Sequence, residues 1–232
     1  MKILKPKQII VALDFDSIEE ANAVVKLLDP KNFRLKIGKQ LYASEGPRVL
    51  ENLNKQGFDL FLDLKLHDIP NTVYKALKNL FDHKVWMTNI HLLGGEEMIQ
   101  AAFEAREHAK SEALLVGVTI LTSLNENDLK KMGFSKEIPE LVKILSMSAR
   151  NNKINGVVCS AKEVSEIKNN LGEDFITVTP GIRIQQNNND QSRVATLKEA
   201  LKNGSDYIVL GREITSSKNI SKMIKKVESY II

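Results

Sequence analysis

A single cysteine in 232 residues leaves no internal disulfide and no metal site built from several cysteines. Cys159 stands in the apolar run Gly156-Val157-Val158-Cys159-Ser160, where a small core residue fits better than a nucleophile. No apolar run is long enough to span a bilayer. The segment Met1-Lys2-Ile3-Leu4-Lys5-Pro6-Lys7 has no hydrophobic stretch of signal-peptide length, so no membrane attachment is expected and the cytoplasm is the expected compartment. Charge of one sign is never massed: 33 basic and 29 acidic residues are interspersed, leaving +4 overall. That spread lacks the basic stripe with interleaved aromatics that single-stranded nucleic acid requires, so no nucleic-acid partner is expected. No Gly-x-Gly-x-x-Gly follows the first strand, which argues against a dinucleotide-binding open sheet. No internal repeat shows beyond an alternation of strands and helices. The one biased segment, Gln185-Gln186-Asn187-Asn188-Asn189-Asp190, reads as a polar surface loop.

What is present is a hydrophobic fraction of 43%, ample for a core, arranged in a regular order. Strand-like runs fall at 8–15, 34–38, 58–67, 85–93, 113–121, 156–160, 175–179 and 207–210. Helical patterns fall between them at 18–28, 47–56, 73–83, 96–110, 126–132 with 137–151, 161–171 and roughly 193–203, and a last one at 220–232. Ser17 suits an N-cap, with Glu19 and Glu20 in the first turn after it. Eight strands alternating with helices, without any linker-like change in composition, predict one (β/α)8 barrel over residues 1–232.

The stretch 58–72 alternates at period two. On a regular strand Asp63, Lys65 and His67 share one face, and Leu62, Leu64 and Leu66 the other. An Asp and a Lys side by side on the inner face of a buried strand are costly to desolvate. Such a pair is either a register-fixing ion pair or part of a reactive site. Asp68 breaks the parity: either the strand ends near His67 and the chain turns, or Asp68 serves a neighbouring site. Pro70 then begins a helix.

Barrel active sites lie at the carboxyl ends of the strands. Asp14, Lys36, Asp63, Lys65, Thr122, Ser160, Arg183 and the pair Gly211-Arg212 all fall at those ends. The loops after strands seven and eight commonly hold phosphate, and Gly211, Arg212, Arg183 and Gln191 are placed to do so.

Asp63-x-Lys65-x-x-Asp68, inside Leu62-Asp63-Leu64-Lys65-Leu66-His67-Asp68-Ile69-Pro70-Asn71-Thr72, resembles the signature of the bacterial orotidine 5′-phosphate decarboxylases. Val11-Ala12-Leu13-Asp14, Lys36-Ile37-Gly38, Leu121-Thr122-Ser123, Val178-Thr179-Pro180-Gly181-Ile182-Arg183, Asp190-Gln191 and Gly211-Arg212 follow in that family's order. The resemblance implies a carboxy-lyase that converts orotidine 5′-phosphate to uridine 5′-phosphate, the last step of de novo UMP (pyrimidine) biosynthesis, without cofactor or metal. It implies that Lys65 is the proton donor in an array with Lys36, Asp63 and Asp68. Asp14 and Lys36 would bind the ribose, Thr122 and Ser160 would face the pyrimidine, and Arg183, Gln191, Gly211 and Arg212 would surround the phosphate. It further implies a homodimer with shared active sites, in which Asp68 and Thr72 reach the partner's site, and a loop at 184–190 that closes over the phosphate.

Three departures stand out. Leu92-Leu93 follow His91 where the family has small residues, Glu213 follows Arg212 where proline is common, and Leu197 follows Thr196 where proline is usual. A magnesium-dependent sugar-phosphate decarboxylase or synthase shares the D-x-K-x-x-D pattern but carries a metal-binding Glu where this chain has Lys36. A phosphate-binding barrel without catalysis would leave the Asp63–Lys65 pair unexplained.

Overall fold

The computed structural model describes residues 3–184 and 195–232. In chain order the elements are β1 (Ile9–Leu13), α1 (Ile18–Val25), β2 (Phe33–Gly38), α2 (Lys39–Glu45), α3 (Arg48–Lys55), β3 (Leu60–Leu66), α4 (Pro70–Phe81), β4 (Met87–His91), α5 (Glu96–His108) and β5 (Leu114–Val118). There follow α6 (Glu126–Lys131), α7 (Ile138–Asn151), β6 (Gly156–Val158), α8 (Val164–Leu171), β7 (Ile176–Thr179), β8 (Ile182–Arg183), β9 (Ala195–Thr196), α9 (Leu197–Lys202), β10 (Tyr207–Leu210), α10 (Arg212–Thr215) and α11 (Ile220–Glu228). The strands close in the order β1-β10-β7-β6-β5-β4-β3-β2, with β8 and β9 as a separate two-stranded ribbon. Every barrel pairing is parallel. The (β/α)8 barrel expected from the alternation is the fold found.

Alternation of side chains divides each strand between two cores. Ile9, Val11 and Leu13 point outward to the helices, while Ile10 and Ala12 join Phe61, Met87, Val116, Val178 and Val209 inside the barrel. The amino end of the barrel is closed by Arg34, whose guanidinium lies 3.9 Å over the Trp86 ring and 5.2 Å from that of Tyr207, and pairs with Asp59 at 3.1 Å. The apolar layer above it separates this pair from the charged groups at the carboxyl end.

Three features depart from the expected pattern. Helix α2 stands between β2 and α3, a short helix that begins directly after Gly38 and stops at Gly46, whose φ of 62° ends it. Strand β3 is not regular. Its partners on β4 step from Leu62↔Thr88 to Leu66↔Ile90, so β3 advances four residues where β4 advances two. Lys65, at φ 50°, sits in this slip in a left-handed conformation uncommon for a non-glycine residue. Third, Thr196 caps α9 through a reciprocal box with Glu199, which anchors the helix start where a proline is absent.

Candidate active site

The inward positions at the carboxyl ends enclose a cavity of about 320 Å³, within the roughly 300–1,000 Å³ usual for small-molecule sites. Its floor is apolar, from Ala12, Phe61, Val118, Val158 and Val209. Across the top runs a line of alternating charges. Lys36 Nζ lies 3.0 Å from Asp14 Oδ1 and 3.3 Å from Asp63 Oδ2, and Lys65 Nζ lies 2.6 Å from Asp63 Oδ1. Lys36 and Asp63 are nearly sealed, each with a side chain 10% exposed, while Lys65 is 31% exposed and Asp14 54%. Gly38 makes room for this line: a Cβ there would come within 2.9 Å of Asp14 Oδ1 and 3.2 Å of Lys36 Nζ.

Burial pushes the Asp63 carboxyl up. The charges of Lys36 and Lys65, with hydrogen bonds from Lys65 and Asn89, outweigh that and hold it below the usual carboxylate range. The group is therefore a buried carboxylate held between two ammoniums, a preorganised field at the cavity wall.

Lys65 reaches the cavity through the register slip, and the regular alternation expected as far as His67 does not hold. Asp63 obeys it; Lys65 turns inward from a left-handed backbone; His67 turns out and stacks on His91 with ring centroids 5.2 Å apart. Burial, then the neighbouring His67, Lys65 and Lys39, bring His91 down to about 4, so its neutral ring accepts from Leu93 N.

On the far rim Thr122, Arg183, Gly211 and Arg212 line the cavity. Glu213, which the sequence offered only as a departure from a proline, lines it too. It pairs with Arg183 Nη1 at 3.2 Å and accepts from Ile184 N at 3.2 Å. Ser160 does not line the wall. It is buried, accepting from Lys162 N while its amide donates to Glu163, and Cys159 lines the wall beside Val158 because β6 ends at Val158. Gln191 and the 185–190 part of the expected loop lie outside the described residues.

Asp68 and Thr72 do not line this cavity. They border a second hollow of about 260 Å³ with Lys39, His67 and Lys65, so Lys65 stands between the two. Both are exposed, and the Asp68 carboxylate accepts from Ile69 N at 2.7 Å.

The site residue that sequence reasoning missed is Asn89. Fully buried on β4, it donates from Nδ2 to Asp63 Oδ1 at 2.7 Å and accepts at Oδ1 from Lys65 N at 2.8 Å. A lone Asn between Thr88 and Ile90 in a buried strand was the available signal, since buried amides are found where they have partners.

A parallel barrel with a charged cavity of small-molecule size at its carboxyl end has the arrangement of the barrel enzymes, whose active sites lie at that face. Within that class the sequence is specific. Residues 7–227 match the model of the orotidine 5′-phosphate decarboxylase / HUMPS family, and the chain belongs to that family. It is 47% identical over 221 residues to the orotidine 5′-phosphate decarboxylase of Saccharophagus degradans, covering 95% of this chain and 93% of that one. It is 46% identical over 223 residues to that of Legionella pneumophila (strain Corby), covering 95% and 97%. The crystal structure of orotidine 5′-phosphate decarboxylase from Lactobacillus acidophilus superimposes with a TM-score of 0.85 at 35% identity, covering 98% of this chain and 99% of that one. Among the described residues no helix is long and apolar enough to cross a membrane.

Proposed function

We propose that the chain decarboxylates orotidine 5′-phosphate to uridine 5′-phosphate, the last step of de novo UMP biosynthesis, without cofactor. The observation that carries this reading is the Lys36–Asp63–Lys65 array at the cavity wall. Breaking the bond between C6 and the carboxylate leaves its electron pair on C6, in the plane of the ring, where no ring sink receives it. A fixed cation beside C6 is the stabilisation such a carbanion requires. Lys65, partly exposed toward the cavity and steadied by Asp63, is suited both to supply that charge and to deliver the proton that makes the new C6–H bond.

Asp63 would stand against the departing carboxylate, and Asp14 with Lys36 would hold the ribose hydroxyls. Thr122 and Ser160 are proposed for the pyrimidine and Arg183, Gln191, Gly211 and Arg212 for the phosphate. Of these Ser160 needs a shift from its buried position to touch a ligand. Asp68 and Thr72 are proposed to complete a partner subunit's site.

The family description also spans the sugar-phosphate branch, which relies on magnesium at the position of Lys36. Here that position holds an ammonium paired to two carboxylates, and a cation there opposes a divalent metal. Loss of orotidine 5′-phosphate ultraviolet absorbance should therefore proceed at an unchanged rate in EDTA. It should fall more than about 100-fold in Lys65→Ala, a loss of at least ~2.7 kcal/mol of transition-state stabilisation. Activity that disappears with EDTA and returns with magnesium would favour the sugar-phosphate branch instead.

A further inference from the structure

We propose that Asn89 is a positioning residue for the decarboxylation, setting both the rotation of the Asp63 carboxylate and the backbone that aims Lys65; this rests on the function proposed above. Two observations carry it. Asp63 Oδ1 receives both Asn89 Nδ2, at 2.7 Å, and Lys65 Nζ, at 2.6 Å. With Oδ1 held by the amide, Oδ2 is left facing Lys36 at 3.3 Å, so the rotation that lets one carboxylate serve two ammoniums is fixed from β4. The other end of the same amide accepts from Lys65 N at 2.8 Å, in the stretch where β3 slips against β4. The slip leaves this amide without a regular ladder partner, and a buried N–H without an acceptor is costly. Asn89 supplies the acceptor, and so holds Lys65 at φ 50° with its side chain toward the cavity.

The residue type is specific to the task. One planar group must donate to residue 63 and accept from residue 65. Leucine does neither, and an ionised aspartate accepts from Lys65 but cannot donate to Asp63. An ordinary satisfied core amide would also be buried and bonded, so the test needs readouts that a merely structural role does not move.

Three proteins suffice: wild type, Asn89→Leu and Asn89→Asp, each checked for folding by circular dichroism and for binding of uridine 5′-phosphate by calorimetry. In Asn89→Leu kcat should fall about 100-fold or more, the scale of a misplacement near 1 Å, with KM within about threefold. In Asn89→Asp the donor exists only when the new carboxyl is protonated, so kcat should rise as pH falls, with a slope the wild type lacks.

Hydrogen exchange of the Lys65 amide, followed in 15N-lysine protein and assigned with Lys65→Arg, reads the geometry without using activity. Its protection should be lost in Asn89→Leu, kept in Asn89→Asp, and unchanged at Lys36. Unaltered Lys65 protection in Asn89→Leu, or kcat within threefold of wild type in a folded variant, would overturn the proposal. If Asn89→Leu does not fold, a flat pH difference between Asn89→Asp and wild type would overturn it. A wild type that never consumes orotidine 5′-phosphate, yet shows the exchange pattern, would refute the function while leaving the geometry standing.

Discussion

At the scale of single residues, the cavity rim carries a carboxylate that the proposed ligand would rather not meet. Glu213 pairs with Arg183, one of the residues proposed for the phosphate, and accepts from the Ile184 amide. Part of the cation's field is thus already used inside the chain. Glu213→Gln keeps an acceptor for Ile184 N and removes the charge. A unit charge about 4 Å away in a water-like medium is worth ~1 kcal/mol, so uridine 5′-phosphate should bind roughly fivefold more tightly, with kcat little changed. The gain should shrink as salt is raised, because the pair is partly exposed. Uridine without its phosphate should show no gain. Weaker nucleotide binding in calorimetry would instead make Glu213 a strut that holds Arg183 in place.

At the scale of elements, two neighbouring strands explain a departure that the chain alone left open. Leu92, just after β4, is that departure, and it is buried. The space it fills lies over Gly117 of β5, where an added Cβ would stand 2.4 Å from a Leu92 methyl and 2.6 Å from its Cγ. The large residue and the glycine are therefore one packing unit. Gly117→Ala should destabilise the barrel by roughly 1–3 kcal/mol through overpacking. Adding Leu92→Ala should return part of that loss, a coupling that urea titration of the single and double variants would measure. Additive effects would show that the two positions are independent.

The same scale shows how far a sequence can be read. Period-two alternation told which residues of β3 face inward, as far as Asp63, and the strand ends gathered Asp14, Lys36, Thr122, Arg183 and Arg212 into one place. Alternation carries no information about register against the next strand. The slip at Lys65 could therefore not be read from the alternation, and Asn89, which accommodates it, showed only as a lone amide in its strand. Position put Ser160 at the end of the sixth strand and the resemblance implied that it faces the ligand, but β6 stops two residues earlier and Cys159 lines the wall. Helix α2 was missed because seven residues between Gly38 and Gly46 are too few to display a helical period.

At the scale of the whole molecule, the line of charges ends at an open side. It runs from Asp14 through Lys36 and Asp63 to Lys65, and Lys65 borders the second hollow where Asp68 and Thr72 lie. Asp68 makes no ion pair among the described residues, and Ile69 beside it is 66% exposed. An exposed carboxylate and an ammonium at the edge of one hollow, with an exposed Ile next in sequence to the carboxylate, suit a two-fold contact in which each chain's Asp68 extends the other's charge line. Asp68 lies outside its own chain's cavity and is free to reach another's. Folded monomers should then be inactive, as should Lys65→Ala and Asp68→Ala dimers. Mixed and allowed to exchange subunits, these two parents should form hybrids with one site lacking both groups and one site intact. Random exchange makes half the dimers hybrids, so activity should recover to about a quarter of wild type. Tagged subunits purified in pairs would show that hybrids exist. Hybrids that form yet stay as inactive as their parents would place Asp68 outside the partner's site.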